Sequence, residues 1–167
     1  MNSPFFDKKQ LAMFRKMIES FITISDQEIV SAYLCAFLAH SGKKDKEGSA
    51  YLEHPVRVSK NFETKDEIIV ALLHDVLEDS NITAKNLRNM GFSERILDAV
   101  QALTRHKMQC YSSYLAQVAQ NELATKVKRA DIQDNLDPAR LNKLSPPVRK
   151  RLQKKYQNAL AILGRLS

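Results

Sequence analysis

The chain has 167 residues, of which 44% are hydrophobic and 27% are charged, and its formal net charge at pH 7 is +7. This length and composition fit one globular domain with its own core and exclude a disordered chain or a repeat protein. The longest stretches without Lys, Arg, Asp or Glu, residues 29–42 and 108–121, are too short to span a membrane. The positive charge favours an anionic partner such as a nucleotide, a phosphorylated metabolite or a nucleic acid.

Two further features favour a reduced, cytoplasmic setting. Cys35 and Cys110 lack the spacing of a zinc site and do not form a disulfide framework. In the N-terminal segment, charged residues interrupt the apolar ones, whereas a secretory signal peptide needs a continuous apolar stretch.

Helical periodicity recurs along the chain and no stretch requires a strand, so we predict a single all-α domain over residues 1–167. The first predicted helix carries an apolar stripe made of Leu11, Phe14, Ile18 and Ile22. Ser25 is predicted to cap a second helix, which ends near His40. A polar, basic loop, GKKDKEGSA at residues 42–50, follows it.

The next two helices include the most hydrophobic part of the chain. One is predicted from about Tyr51 to Phe62. Thr64 is predicted to cap the other, and Glu67 three residues later indicates a capping box. Residues 68–73 are all apolar, so this helix has no polar face and should be central and buried.

Thr83 and Ser93 are predicted to cap two short helices, the second ending near Thr104, and further helices are predicted at about 113–121, 123–135 and 146–164. The last helix is basic, with a cluster formed by Arg149, Lys150, Arg151, Lys154 and Lys155. We interpret the cluster as a solvated helix face and expect no nucleic-acid partner, since no recognition motif accompanies it. The apolar residues of the helix after Ser93 fit the core or a homodimer face, and the core is favoured; they are Ile96, Leu97 and Val100.

Four ionisable residues stand at the end of the central apolar run. His74 and Asp75 follow it directly, and Glu78 and Asp79 come one helical turn later. On a continuous helix, His74 shares a face with Glu78, and Asp75 with Asp79. Buried carboxylates are unfavourable there because they repel each other and oppose the helix dipole. A divalent cation would relieve these penalties; the alternative is a helix end that simply reaches solvent.

Other histidines and carboxylates extend this group. His54 lies in YLEHP, and Asp131 lies in VKRAD with Asn135 one turn later. Two imidazoles and two carboxylates form a mixed N/O set suited to Mn²⁺, Fe²⁺ or Zn²⁺. The remaining histidines, His40 at a helix end and His106 in a loop, are interpreted as having no ligand role.

The segments HPVRV, ALLHDVLEDSNIT and VKRADIQDNL, in this order, resemble the HD superfamily of metal-dependent phosphohydrolases. Within it they are most similar to the hydrolase domain of the Rel/Spo family, especially the stand-alone small alarmone hydrolases. The resemblance covers about residues 39–141. It implies a compact helical bundle and an enzyme that removes the 3′-pyrophosphate from (p)ppGpp or a related alarmone.

The resemblance also implies roles for single residues. The metal ion is usually Mn²⁺, with Fe²⁺, Zn²⁺ or Co²⁺ as alternatives, and its implied ligands are His54, His74, Asp75 and Asp131. Glu78 and Asp79 match the acidic pair that positions and activates water. The implied substrate-binding residues are Lys43 and Lys44 of the loop over the nucleotide base, Lys128 and Asn135.

Three positions depart from the family pattern. Lys43 stands where the family offers an arginine to stack on guanine, so the preference between guanine and adenine stays open. Asp137 replaces an arginine two residues after Asn135, although Arg140 could return a positive charge to this neighbourhood. Arg129 replaces a leucine and is expected near the surface, because an arginine is costly in the core.

Other functions fit part of the pattern. A different HD phosphohydrolase, such as an NADPH 2′-phosphatase, a 5′-nucleotidase or a cyclic-nucleotide phosphodiesterase, would use the same ligands, but the acids of HDxxED favour the alarmone hydrolases. A catalytically silent nucleotide-binding or antitoxin module, or a helical structural protein with solvated acids, remains as an alternative. Residues 141–167 predict one more basic helix and no synthetase domain.

Overall fold

The computed structural model describes residues 26–45, 48 and 50–166. Every regular element in these ranges is a helix, which confirms the all-α prediction. In chain order the helices are α1 (Gln27–His40), α2 (Glu53–Ser59), α3 (Lys65–Leu73), α4 (Val76–Asp79), α5 (Ala84–Asn89), α6 (Glu94–Leu103), α7 (Tyr111–Ala119), α8 (Glu122–Asn135), α9 (Pro138–Leu141) and α10 (Pro146–Leu166). An isolated β-bridge joins Lys44 to Ala50 within the loop after α1.

The predicted first helix and Ser25 lie outside the described residues. The cap of α1 is Asp26, whose carboxylate accepts a hydrogen bond from the backbone N–H of Glu28, so the prediction of Ser25 as the cap is wrong. Asp26 is the residue whose short side-chain acceptor reaches the first turn of this helix.

Helix α3 is the centre of the molecule, as its uninterrupted apolar sequence predicts. All five residues from Ile69 to Leu73 are fully buried. The helix packs against α1, α2, α6 and α8, so no face of it reaches solvent along this stretch. The ends of α2, α3 and α8 are thereby held close together around one core.

Shortening a side chain of α3 should destabilise the whole domain. For Leu72→Ala we expect the free energy of unfolding to fall by about 2–5 kcal/mol, because a cavity replaces a fully buried side chain. Urea unfolding followed by circular dichroism measures this change. Leu38, on α1, is 67% exposed, and Leu38→Ala should stay within about 0.5 kcal/mol of the parent protein. Equal losses in the two variants would contradict the central position of α3.

The caps of the short helices follow the sequence with one exception. Thr64 is the N-cap of α3, as predicted, but its hydroxyl donates to the carboxylate of Glu67 at 2.6 Å and accepts no backbone N–H. The predicted capping box is therefore wrong at this helix. Thr83 and Asn86 form a complete capping box at α5, where the side chain of each residue accepts the backbone N–H of the other.

The chain does not continue as one helix through the ionisable residues. Helix α3 ends at Leu73, His74 is its C-cap, and Asp75, with φ −104°, precedes the short helix α4. The prediction of one continuous helix through these residues is therefore wrong, and the buried His74 does not share a face with the exposed Glu78. Asp79 still follows Asp75 by one helical turn, because its backbone N–H donates to the Asp75 carbonyl at 2.9 Å. The turn lets the imidazole of His74 point into the core while Glu78 stays exposed.

The second half of the chain agrees closely with the predicted elements. Asp137-Pro138, expected as a break, is the cap and first residue of α9. The apolar residues of α6 are buried within the chain, which confirms the core interpretation over a dimer face; they are Ile96, Leu97 and Val100.

Among the described residues, no helix is both long and apolar enough to cross a membrane. Neither cysteine forms a disulfide.

Candidate metal centre

Three elements bring three of the four predicted metal ligands together. His54 lies in the first turn of α2, His74 at the end of α3, and Asp131 in the second half of α8. Each side chain offers one ligand atom, and these atoms lie within 4.8 Å of one another. All three residues are at least 95% buried, so the group is a preformed cluster and not a solvated surface.

The two histidines present the same ring nitrogen to this cluster. His54 Nδ1 donates to Asp134 Oδ2 at 2.7 Å, and His74 Nδ1 donates to the carbonyl of Ala71 at 2.7 Å. Each Nε2 therefore faces the shared centre, where His54 Nε2 lies 3.1 Å from Asp131 Oδ1. His74 Nε2 makes no hydrogen bond within the described part of the chain, although Asp75 Oδ2 lies 3.2 Å from it. A buried nitrogen without a partner is costly, and a cation at this point would satisfy it.

Asp75, the fourth predicted ligand, lies beside the cluster. Its Oδ2 is 3.2 Å from His74 Nε2, and the same oxygen accepts a hydrogen bond from the hydroxyl of Tyr51 at 2.6 Å. Burial raises the pKa of the Asp75 carboxyl, but the neighbouring charge of His74 outweighs burial and holds that pKa below its usual range. Asp75 is therefore ionised, and its role as a ligand stays a prediction.

Asp131 is fixed by two residues of its own helix. Its Oδ2 accepts a hydrogen bond from Lys128 Nζ at 2.6 Å, and its Oδ1 accepts one from Asn135 Nδ2 at 2.6 Å. Burial raises the pKa of the Asp131 carboxyl, but the charge of Lys128 outweighs burial and holds the pKa well below its usual range. Lys128 and Asn135, predicted as substrate-binding residues, thus hold a predicted metal ligand in one orientation.

Sequence reasoning missed Asp134. Its carboxylate accepts from His54 Nδ1 and from Arg57 Nε at 2.7 and 2.8 Å, and it also pairs with Arg140. The expectation that Arg140 brings a positive charge back to this neighbourhood is confirmed. A signal for Asp134 existed in the sequence, because it follows Asp131 by three residues and so shares its helix face.

The two predicted catalytic acids have different surroundings. Glu78 Oε2 accepts a hydrogen bond from the backbone N–H of Arg105 at 3.1 Å, and Glu78 lines the adjacent cavity. Asp79 Oδ2 lies 3.8 Å from Nδ1 of the buried His40, and the Asp79 backbone carbonyl accepts a hydrogen bond from Lys43. Burial raises the pKa of the Asp79 carboxyl. Asp79 and Lys43 are not among the residues that line the cavity.

A cavity of about 390 Å³ opens next to the cluster, and His54 and Asp131 form part of its wall. Its positively charged lining residues are Lys44, Arg105, Lys128, Arg140 and Lys155. Its aromatic lining residues are Tyr51, Tyr111, Tyr114 and Tyr156. Four carboxylates also line this cavity, so cations and acids share its wall; they are Asp45, Asp75, Glu78 and Asp131.

The basic face of α10 contributes to this cavity. Lys155 is exposed, as predicted for a solvated face, but its Nζ lies 4.8 Å from the ring centre of Tyr111 and 5.1 Å from that of Tyr156. Cation–π contacts of this kind hold an ammonium group in place. The sequence could not show this, because the packing of α10 against α7 decides which lysine faces the cavity.

These features define an all-α domain with a candidate metal centre beside a cavity that several cationic side chains line. Three curated relatives of this chain have names that describe (p)ppGpp hydrolases. The protein of Aquifex aeolicus named guanosine-3′,5′-bis(diphosphate) 3′-pyrophosphohydrolase is 29% identical over 122 residues, 66% of this chain and 17% of that protein. The Danio rerio protein of the same name, MESH1, is 34% identical over 70 residues, 38% of each chain. The bifunctional (p)ppGpp synthase/hydrolase SpoT of Escherichia coli strain K12 is 32% identical over 81 residues.

The chain spans only 17% of the length of the Aquifex protein and 11% of the length of SpoT. No protein-family model matches the chain. A solved structure, described as a metazoan ortholog of SpoT that hydrolyzes ppGpp, aligns with a TM-score of 0.70 at 19% identity, over 83% of this chain and 86% of that one. The resemblance to the Rel/Spo hydrolases that the three motifs indicated is confirmed, and so is the expected HD-type fold.

Proposed function

We propose that the chain is a divalent-metal-dependent hydrolase that removes the 3′-pyrophosphate from (p)ppGpp or a related alarmone. The observation that carries this proposal is the convergence of His54, His74 and Asp131 beside a cavity with five positively charged lining residues. Such a lining suits a substrate with several phosphate groups. The names of the relatives from Aquifex aeolicus and Danio rerio support the choice of alarmone.

The residues present fit a divalent ion held by His54, His74 and Asp131, with the ionised Asp75 as the proposed fourth ligand. Two imidazoles with carboxylates suit Mn²⁺, our first choice, and also Fe²⁺, Zn²⁺ or Co²⁺. When bound, the ion would supply Lewis-acid chemistry, lowering the pKa of a water molecule and polarising a phosphoryl oxygen.

The acids and cations around the cavity supply the remaining steps. Hydrolysis transfers a hydroxyl group from water to phosphorus and returns a proton to the ribose 3′-oxygen that leaves. Glu78, which reaches the cavity, is the proposed acceptor of the proton from water. Asp79, whose carboxyl pKa is raised by burial, is the proposed source of the proton for the leaving oxygen, and because it does not line the cavity it would act through a bridging water. Lys128 stabilises the negative charge that develops on the phosphate oxygens.

The nucleotide itself is proposed to lie along the cationic and aromatic wall. Lys44 lines the cavity at the loop after α1, and the tyrosine rings offer flat surfaces on which a base can stack. Asn135, also on the cavity wall, is the proposed contact to the ribose or its phosphates. We also propose that the protein acts in the cytoplasm, since the spacing of Cys35 and Cys110 does not suggest a disulfide framework.

An assay with separate detection of pyrophosphate and phosphate tests the proposal. The protein is incubated with Mn²⁺ and, in turn, ppGpp, pppGpp, ppApp, NADPH, a nucleoside monophosphate and cyclic nucleotides. We expect pyrophosphate from ppGpp or ppApp and its loss on addition of EDTA. Release of phosphate from NADPH or a nucleoside monophosphate, with no pyrophosphate from any alarmone, would point to a different HD phosphohydrolase. Tight nucleotide binding without turnover of any substrate would point to a silent binding module.

A further inference from the structure

One side chain against the metal cluster has no part in the proposed reaction. Asp134 Oδ2 lies 2.7 Å from His54 Nδ1, on the opposite edge of the imidazole from the nitrogen that faces Asp131. The Asp134 side chain is only 8% exposed, and Asp134 is not among the residues that line the cavity. Its contact is therefore with a ligand and not with the substrate.

Two arginines hold the Asp134 carboxylate in this position. Arg57 donates from Nε to Oδ1 at 2.8 Å and from Nη2 to Oδ2 at 3.3 Å. Arg140 pairs with Oδ2 through Nη1, which also reaches the Asp134 backbone carbonyl at 3.3 Å. Charge-assisted hydrogen bonds from two sides fix the direction of a carboxylate, so Asp134 has one orientation toward His54.

The charge of Asp134 is secured by the same neighbours. Two guanidinium groups and the Nδ1–H of His54 all donate to its oxygens, so Asp134 meets these donors as a carboxylate. His74 differs, since its Nδ1 donates to a neutral backbone carbonyl. Of the two histidines, only His54 depends on a side chain for its orientation.

We propose that Asp134 is a positioning residue that fixes His54 with Nδ1 protonated and Nε2 directed at the metal ion. A carboxylate behind a ligating histidine sets the tautomer and makes the ligating nitrogen more basic, so removing it weakens metal binding. The inference rests on the metal site of the proposed function but not on the identity of the substrate.

The same carboxylate links the metal site to the loop beside the cavity. Arg140 bridges Asp134 to Asp45, with its Nη2 3.5 Å from Asp45 Oδ2. Asp45 follows Lys44 in the loop, and both line the cavity. The test therefore reads metal affinity and not substrate turnover, which the loop could also affect. Its control disturbs the other arginine of this group, Arg57, without touching His54. Glu53 provides that comparison, because its carboxylate lies 3.7 Å from Arg57 Nη1 and is partly exposed.

The test measures Mn²⁺ affinity by calorimetric titration of the full chain and of three variants. In Asp134→Leu, His54 Nδ1 loses its acceptor, and we expect affinity to fall by about 10- to 100-fold. In Asp134→Asn, the amide oxygen can still accept the hydrogen bond but carries no charge, so a smaller loss is expected. Glu53→Gln should bind Mn²⁺ as tightly as the parent protein does.

A spectroscopic reading separates positioning from a general loss of structure. In the Zn²⁺-loaded parent protein, the His54 Nδ1–H proton should give a downfield resonance that exchanges slowly with solvent, because a carboxylate accepts it. The resonance should move upfield in Asp134→Asn, which is the variant that best preserves the packing. If Asp134→Leu does not fold, the Mn²⁺ affinity and the His54 resonance of Asp134→Asn decide whether Asp134 positions His54.

Two results would contradict the positioning role of Asp134, and only the second would also contradict the proposed function. Folded Asp134 variants that bind Mn²⁺ as tightly as the parent protein, or that lose affinity while the His54 resonance stays in place, would overturn the positioning role and leave the proposed function standing. A parent protein that binds none of Mn²⁺, Fe²⁺, Zn²⁺ or Co²⁺ would overturn the proposed function and this inference with it.

Discussion

His74→Gln is expected to lower the affinity for Mn²⁺ at least about 100-fold and to abolish hydrolysis of the alarmone. Loss of a residue that merely orients a ligand already costs up to about 100-fold in affinity, so loss of the ligand itself should cost no less. His74 Nε2 is a buried nitrogen without a hydrogen-bond partner in the described structure, and it lies where three ligand atoms converge. Calorimetric titration with Mn²⁺ and an assay of pyrophosphate release measure the two losses.

His106→Gln is the matched control, since His106 is exposed in the loop between α6 and α7 and contributes nothing to the ligand cluster. It should keep both metal affinity and activity. Because His74 is 1% exposed, circular dichroism of the metal-free variant must first show that the helices are intact. A folded His74→Gln protein with undiminished Mn²⁺ affinity would show that the ion, if any, is held elsewhere.

The helical fold could be predicted where a single residue pattern determines the structure. Residues 68–73 have no polar face, so the helix that contains them had to be central, and the structure confirms it. The prediction was wrong at the end of the same helix. Periodicity assumes that a helix continues, whereas the break at His74 and Asp75 depends on which side chains the surrounding core accepts.

The candidate site was predictable as a set of residue types but not as a geometry. The motifs predicted four ligands, His54, His74, Asp75 and Asp131. The structure brings all of them but Asp75 into one cluster and places Asp75 beside it. No spacing rule could show that Asp75 would bind the Tyr51 hydroxyl, because that contact joins separate elements. Asp134 was missed for a related reason, since its partner His54 lies 80 residues away and only the packing of α2 against α8 makes them neighbours.

Glu78→Gln is expected to reduce kcat by about 10²- to 10⁴-fold while Mn²⁺ affinity stays unchanged, the usual loss when a general base is removed. Glu78 lines the cavity and is not one of the three clustered ligands. Glutamine keeps the shape of the side chain and can still accept the hydrogen bond from the Arg105 backbone, so the loop should stay in place. Steady-state kinetics with calorimetric metal titration of the same preparation separate catalysis from binding.

Asp79→Asn tests whether the two acids act alike. Its side chain lies against His40 and does not line the cavity, so a smaller loss of kcat is expected than for Glu78→Gln. The bond from Lys43 is made to the Asp79 backbone carbonyl and survives the substitution. Equal losses in the two variants would instead mean that both acids are needed for the same catalytic step. The ratio of the two kcat values therefore decides whether the acid that faces the cavity activates water alone or only together with its neighbour.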